Sequence, residues 1–211
     1  MQLKLIHITL ISSTFAVPTL VIPDRLKNPY DVNFGDDCEM LYGGEGETVK
    51  CKAGWSAAGA CASGRRADCK DAVLGNKYYT NLRCCPHKFN TNPEHDCVAE
   101  HAGYGQDAYC PLVDPSLGEE SYILGQDGLC TSGMHSHCGG EFTKVKCCET
   151  SDISVGPKKY CGWAWGNYGE DLVCPSDYVM AGTCSSGAYA DCHKGKAYTG
   201  IYCCPFVDNR S

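Results

Sequence analysis

Cysteine dominates the chemistry open to this chain, with 18 in 211 residues. They fall into three groups of six. The first is Cys38, Cys51, Cys61, Cys69, Cys84 and Cys85; the second Cys97, Cys110, Cys130, Cys138, Cys147 and Cys148; the third Cys161, Cys174, Cys184, Cys192, Cys203 and Cys204. In every group 12 residues separate the first two cysteines, 7 separate the third and fourth, and an adjacent pair closes the group. The second gap holds 9, 19 and 9 residues and the fourth 14, 8 and 10. Two constant gaps in three copies point to internal triplication. An even count per group predicts bridges, made within each group, rather than nucleophilic thiols or zinc ligands. Neighbouring positions of a strand face opposite sides, so each adjacent pair should tie one strand to two different partners. The sequence leaves the connectivity inside a group open.

Other residues keep the same frame. Cys-x-Ser-Gly recurs at Cys61-Ala62-Ser63-Gly64, Cys130-Thr131-Ser132-Gly133 and Cys184-Ser185-Ser186-Gly187. These read as tight turns whose hydroxyls and backbone N–H groups could also hold an anion or a sugar hydroxyl. Gly46, Gly105 and Gly169 are followed by Glu47, Gln106 and Glu170, side chains suited to bonding the loop's own backbone or to facing a ligand. An aromatic precedes each third cysteine (Trp55, Tyr122, Tyr178). Asp68, His137 or Asp191 precedes the fourth, and Leu82, Val145 or Ile201 precedes the closing pair.

The candidate ligand-binding residues are Trp163, Trp165, Tyr168 and Glu170. Trp163 and Trp165 alternate, which could place both indoles on one face as a platform for a sugar ring. The competing reading packs them on the disulfides, where they supply missing core. His135 and His137 flank Ser136, and His193 follows Cys192, but no coherent set of histidines and carboxylates stands at ligand spacing, so no metal or other cofactor is expected. Asp36-Asp37 and Glu119-Glu120 read as solvated acids, without the pattern of a calcium loop. No Ser, His and acid recur together across the groups, so no catalytic residue is assigned and no enzyme is expected. Arg65-Arg66 reads as a solvated loop that could also be the protease-facing contact of an inhibitor, and Asn209-Arg210-Ser211 fits a glycosylation acceptor.

The elements that must position these residues are short. Tyr178–Ala181 and Tyr198–Tyr202 read as strands, bounded by Gly, Asp and Lys-Gly. Leu41–Gly46 and Gly162–Gly169 read as Gly-rich loops, and no segment carries sustained helical periodicity. The fold class is therefore small, disulfide-rich and mainly β: three tandem six-cysteine repeats with short strands and long loops. The divisions are a signal peptide at 1–16, a lead at 17–37, repeats at 38–85, 97–148 and 161–204, an insertion near 111–120 in the second, and a tail at 205–211. Units of this size do not stabilise themselves on apolar burial alone, so cross-links must contribute. Whether the units pack together or sit as beads stays open at this stage, as does the oligomeric state.

The short apolar run after Lys4, with small residues through Ala16, suits secretion, and the cysteines suit an oxidising compartment. The net charge of −7 gives no support for nucleic acid, and no stretch suits a membrane span. The units closing on Cys84-Cys85, Cys147-Cys148 and Cys203-Cys204 resemble, across residues 38–204, the di-cysteine repeat proteins of invertebrate extracellular matrices, galaxin-like skeletal proteins among them. That resemblance implies a structural matrix role and no active site. The expectation is a secreted structural or matrix protein whose three modules make multivalent contacts with matrix components or glycans. The alternatives are a carbohydrate-binding or defence module and a protease inhibitor or toxin-like effector.

Overall fold

Each cysteine group places its third cysteine in one long strand and its closing pair in the next. The computed structural model describes residues 37–62, 67–70, 75–86, 95–111, 121–122, 124–132, 135–149, 153–186 and 189–208. The signal-peptide segment, most of the insertion, Ser63 to Arg66, Gly133, Gly187 and Asn209 lie outside these residues. The chain is mainly β. The first group contributes β1 (Glu39–Gly43), β2 (Val49–Lys50), β3 (Trp55–Ala62), β4 (Cys69–Lys70), β5 (Lys77–Tyr78) and β6 (Thr80–Pro86). The second contributes β7 (His95–Ala102), β8 (Asp107–Tyr109), β9 (Ser121–Tyr122), β10 (Leu124–Thr131) and β11 (Thr143–Glu149). With the segment leading into the third come β12 (Ile153–Pro157), β13 (Gly162–Gly166), β14 (Leu172–Val173), β15 (Tyr178–Ser185) and β16 (Thr199–Asp208).

The pairs β3–β6, β10–β11 and β15–β16 are antiparallel and share one irregularity. The register shifts between Ala57 and Gly59, Gln126 and Gly128, and Met180 and Gly182. Each shift is a bulge that leaves one extra residue, Ala58, Asp127 or Ala181, outside the ladder. The strands β1, β7 and β13 cover the far side of β6, β11 and β16.

The short strands leave their own group. β2 pairs with β10, β8 with β15 and β14 with β3. Group one thus gives a strand to group two, two to three, and three back to one. The bulges receive these strands: the N–H of Cys51 donates to the Asp127 carbonyl at 2.7 Å, that of Cys110 to Ala181 at 2.8 Å and that of Cys174 to Ala58 at 2.8 Å. Space for the incoming backbone comes from missing side chains. A Cβ at Gly59 would stand 2.5 Å from the Leu172 carbonyl oxygen, and one at Gly182 2.8 Å from that of Ala108. The units are therefore one body, not beads.

All 18 cysteines pair, within their groups and on one nested plan. First joins sixth (Cys38–Cys85, Cys97–Cys148, Cys161–Cys204), second joins fifth (Cys51–Cys84, Cys110–Cys147, Cys174–Cys203), and third joins fourth (Cys61–Cys69, Cys130–Cys138, Cys184–Cys192). The adjacent cysteines do hold two different partners. The second–fifth bridge follows directly on the donated strand and staples it back to its own group.

Apolar burial is concentrated where the groups meet. Leu82, Val145, Ile201, Leu129, Val179 and Met180 are fully buried in one cluster. Buried hydroxyls link the groups in the same cyclic sense. Thr80 Oγ1 shares a hydrogen bond with Thr131 Oγ1 at 2.6 Å, Thr143 Oγ1 with Ser185 Oγ, and Thr199 Oγ1 accepts the Ala62 N–H at 3.3 Å. Gln126, also fully buried, accepts from Thr183 Oγ1 at 3.0 Å. A buried polar group costs stability unless it is paired, and these are paired with geometry that fixes the register between groups.

Two loop expectations are corrected. Leu41–Gly43 lies in β1 and Gly162–Gly166 forms β13. In β13 the glycines only flank an alternating Trp-Ala-Trp core. That core finds its space opposite another glycine, with Trp165 facing Gly200 on β16.

Candidate functional site

Strand alternation puts Trp163 and Trp165 on the same face of β13, as the sequence requires. There they join an aromatic ladder rather than an open platform. The two indoles stack at 4.4 Å between centroids, and the His193 ring stacks on Trp165 at 4.8 Å. Trp165 is thereby sandwiched, with both ring faces covered. Trp163 meets the edge of Tyr109 at 5.6 Å and lies 5.2 Å from Tyr202. Both indoles also pack against the cluster of Cys184, Cys192 and Ala197. A residue larger than glycine at position 200 would run into the Trp165 ring.

The polar end of the ladder is a chain of hydrogen bonds. Trp163 Nε1 donates to Tyr109 Oη at 3.3 Å, which donates to Asp107 Oδ2 at 3.0 Å. Burial pushes the Tyr109 hydroxyl up to about 12; the Trp163 N–H works against that rise and the Asp107 charge adds to it. Burial likewise raises the Asp107 carboxyl, against the Tyr109 hydrogen bond.

Tyr168 stacks on Tyr198 at 3.7 Å. Glu170 turns inward on its own loop, where its Oε2 accepts the Asn167 N–H at 2.8 Å. Glu47 and Gln106 do the same for the N–H groups of Gly44 and Gly103, at 2.9 and 3.3 Å. Three loops of different sequence thus use one closure, the backbone role open to these side chains from the start. Of the described Cys-x-Ser-Gly residues, Ser132 Oγ donates to the carbonyls of His135 and Phe142 and ties down the loop between Cys130 and Cys138.

The ladder's covered faces make it a packing element. Trp165→Ala should lower unfolding stability by about 2 kcal/mol, below the 3–5 kcal/mol typical of a fully buried Trp because this ring is half-buried. Denaturant unfolding followed by circular dichroism measures it. No change would show that the ring adds nothing to the fold.

Sequence reasoning missed a second cluster. At the junction of the first and second groups, Glu45 Oε1 lies 2.6 Å from His135 Nδ1 and 3.3 Å from His137 Nδ1. One ligand atom from each of the three falls within 4.8 Å of the others. His135 and His137 stack at 5.2 Å. The expectation that histidines and carboxylates do not converge is corrected here: the carboxylate comes from a loop 90 positions upstream of His135. The available signal was His-x-His in a loop closed by a disulfide.

No family model, no curated protein and no solved structure matches this chain. Functional inference therefore rests on the geometry. Among the described residues, no helix is long and apolar enough to cross a membrane.

Proposed function

We propose that the chain is a secreted, non-enzymatic structural protein of an extracellular matrix, built to hold several contact surfaces in fixed relation. The observation that carries this reading is the complete use of cysteine: 18 residues, all in bridges, on one nested plan in three groups. Bridges persist in oxidising compartments and are rare in the cytosol. The likeness to di-cysteine matrix proteins points the same way.

Closure of the strand exchange adds a functional consequence. The groups share a backbone plan but not side-chain chemistry: counting four residues back from Gly46, Gly105 and Gly169 gives Tyr42, His101 and Trp165. A rigid body of this kind suits contacts that are individually weak, different in kind and cooperative through fixed spacing. The carbohydrate platform gains no support from the ladder, since the faces of Trp165 are taken up by Trp163 and His193.

The test is expression of the full chain in a secretory host, followed by fractionation and intact-mass measurement. The reading expects protein in the extracellular space, without thiols reactive to alkylation and retained by insoluble matrix. Protein held inside the cell with alkylatable thiols would overturn it.

A further inference from the structure

We propose that Glu45, His135 and His137 bind one divalent transition ion of the zinc and copper class, clamping the junction between the first and second cysteine groups. Imidazole and carboxylate donors suit these ions, whereas calcium and magnesium favour all-oxygen shells. Zinc bonds to nitrogen and oxygen of about 2.0–2.1 Å place tetrahedral ligand atoms about 3.3 Å apart. The Glu45–His137 separation is already 3.3 Å, and Glu45–His135, at 2.6 Å, has the spacing of a hydrogen bond. Binding through Nδ1 puts the His135 ring in its Nε2–H tautomer, so the ion takes the place of the hydrogen bond and the two atoms relax outward. Three protein ligands leave a fourth position open. The histidine side chains, 64% and 58% exposed, let water or a donor from another molecule reach it.

The comparison with the other two junctions argues against chance. The residue before Gly105 and Gly169 is a tyrosine, and each packs on an aromatic of its own group: Tyr104 on Phe142 at 3.7 Å, Tyr168 on Tyr198 at 3.7 Å. Before Gly46 the residue is Glu45, so the first group gives up that ring contact. The residue before the fourth cysteine is Asp191 where Gly105 docks and Asp68 where Gly169 docks, but His137 where Gly46 docks. Two departures from the frame thus meet at one junction, and His135 joins them.

The loops are held ready. Gly46 adopts φ +71°, a conformation other residues rarely take, and a Cβ there would stand 2.5 Å from that of His137. Its N–H donates to the Thr131 carbonyl at 3.3 Å. On the other side the Cys130–Cys138 bridge and the Ser132 hydroxyl fix the loop bearing both histidines.

Calorimetric titration of the oxidised full chain with Zn²⁺ tests the site. We expect one equivalent to bind, Cu²⁺ to displace it, and Ca²⁺ in excess to leave it in place. Removing an outer partner of a metal ligand costs about 10–100-fold in affinity, so losing a ligand in His135→Ala or Glu45→Gln should cost at least about 100-fold. His193→Ala, whose ring stacks on Trp165, should bind as the unsubstituted chain does. Nuclear magnetic resonance of the unsubstituted chain gives a second readout, with the His135 and His137 ring signals moving together on titration. Absence of saturable binding, binding undiminished in both ligand variants, or a titration that moves His193 and His101 as much as His135 and His137 would overturn the site.

Discussion

Replacing Gly105 with alanine should destabilise the whole molecule by about 2–5 kcal/mol, while Gly75→Ala should cost only about 1–2 kcal/mol. The two glycines share a backbone conformation, with φ +61° and +69°. A left-handed conformation costs an L-residue about 1–2 kcal/mol, and both substitutions incur that. Both also stiffen the unfolded chain equally, so the unfolded state cancels from the comparison. What differs is the surroundings. Among the described residues a Cβ at Gly75 meets nothing within 4 Å, whereas one at Gly105 would stand 2.5 Å from the Asp191 Cβ and 2.6 Å from its carbonyl carbon and oxygen. Backbone does not swing aside as a flexible side chain does. The loop would have to lift, taking with it the Gly105 N–H bond to Ser185 and the adjoining β8 pairing with β15. Overpacking of this kind costs about 1–3 kcal/mol. Guanidinium unfolding with the bridges intact measures both variants. Equal losses would show that the junction does not depend on this close approach.

The same glycine shows how far the sequence could be read. Its recurrence eight residues after each first cysteine is visible, and so is the Asp or His before each fourth cysteine. That one docks on the other in the next group is not visible, because the partners belong to different groups. The pairing of the cysteines within groups and the two partners of each adjacent pair follow from even counts and strand alternation. The strand exchange does not, since Val49–Lys50 and Leu172–Val173 are two residues long and carry no periodicity. Gly59, Gly128 and Gly182, each two residues before a third cysteine, were a usable sign of a close backbone approach. Alternation is enough to put the aromatic pair on one face, yet it does not tell what covers that face. His193 does, from a short turn 28 positions after Trp165. Glu45 illustrates the same limit: a ligand set split between two loops has no local spacing to detect.

Closing the exchange into a ring makes a prediction about cooperativity. Removing one buried bridge from the first group, as Cys51→Ala with Cys84→Ala, should cost about 3 kcal/mol or somewhat more. The outer Cys38–Cys85 bridge remains, so the freed loop is essentially the chain from Cys38 to Cys51, and closing a loop of about 15 residues is worth about 3 kcal/mol. The loss should not stay in the first group. That bridge anchors β2, which completes the second group's sheet on β10, while β3 in turn receives β14 from the third. Trp55→Phe leaves Trp163 and Trp165 as the only indoles, so tryptophan emission then reports the third group alone. In that background, deleting the first-group bridge should shift the emission midpoint in urea by the same amount as the midpoint seen by far-ultraviolet circular dichroism. Coincident transitions from separate probes mark one cooperative unit. An emission midpoint that stays put while the dichroism midpoint falls would mean that the groups unfold independently, and that the exchanged strands lie against their neighbours without coupling them.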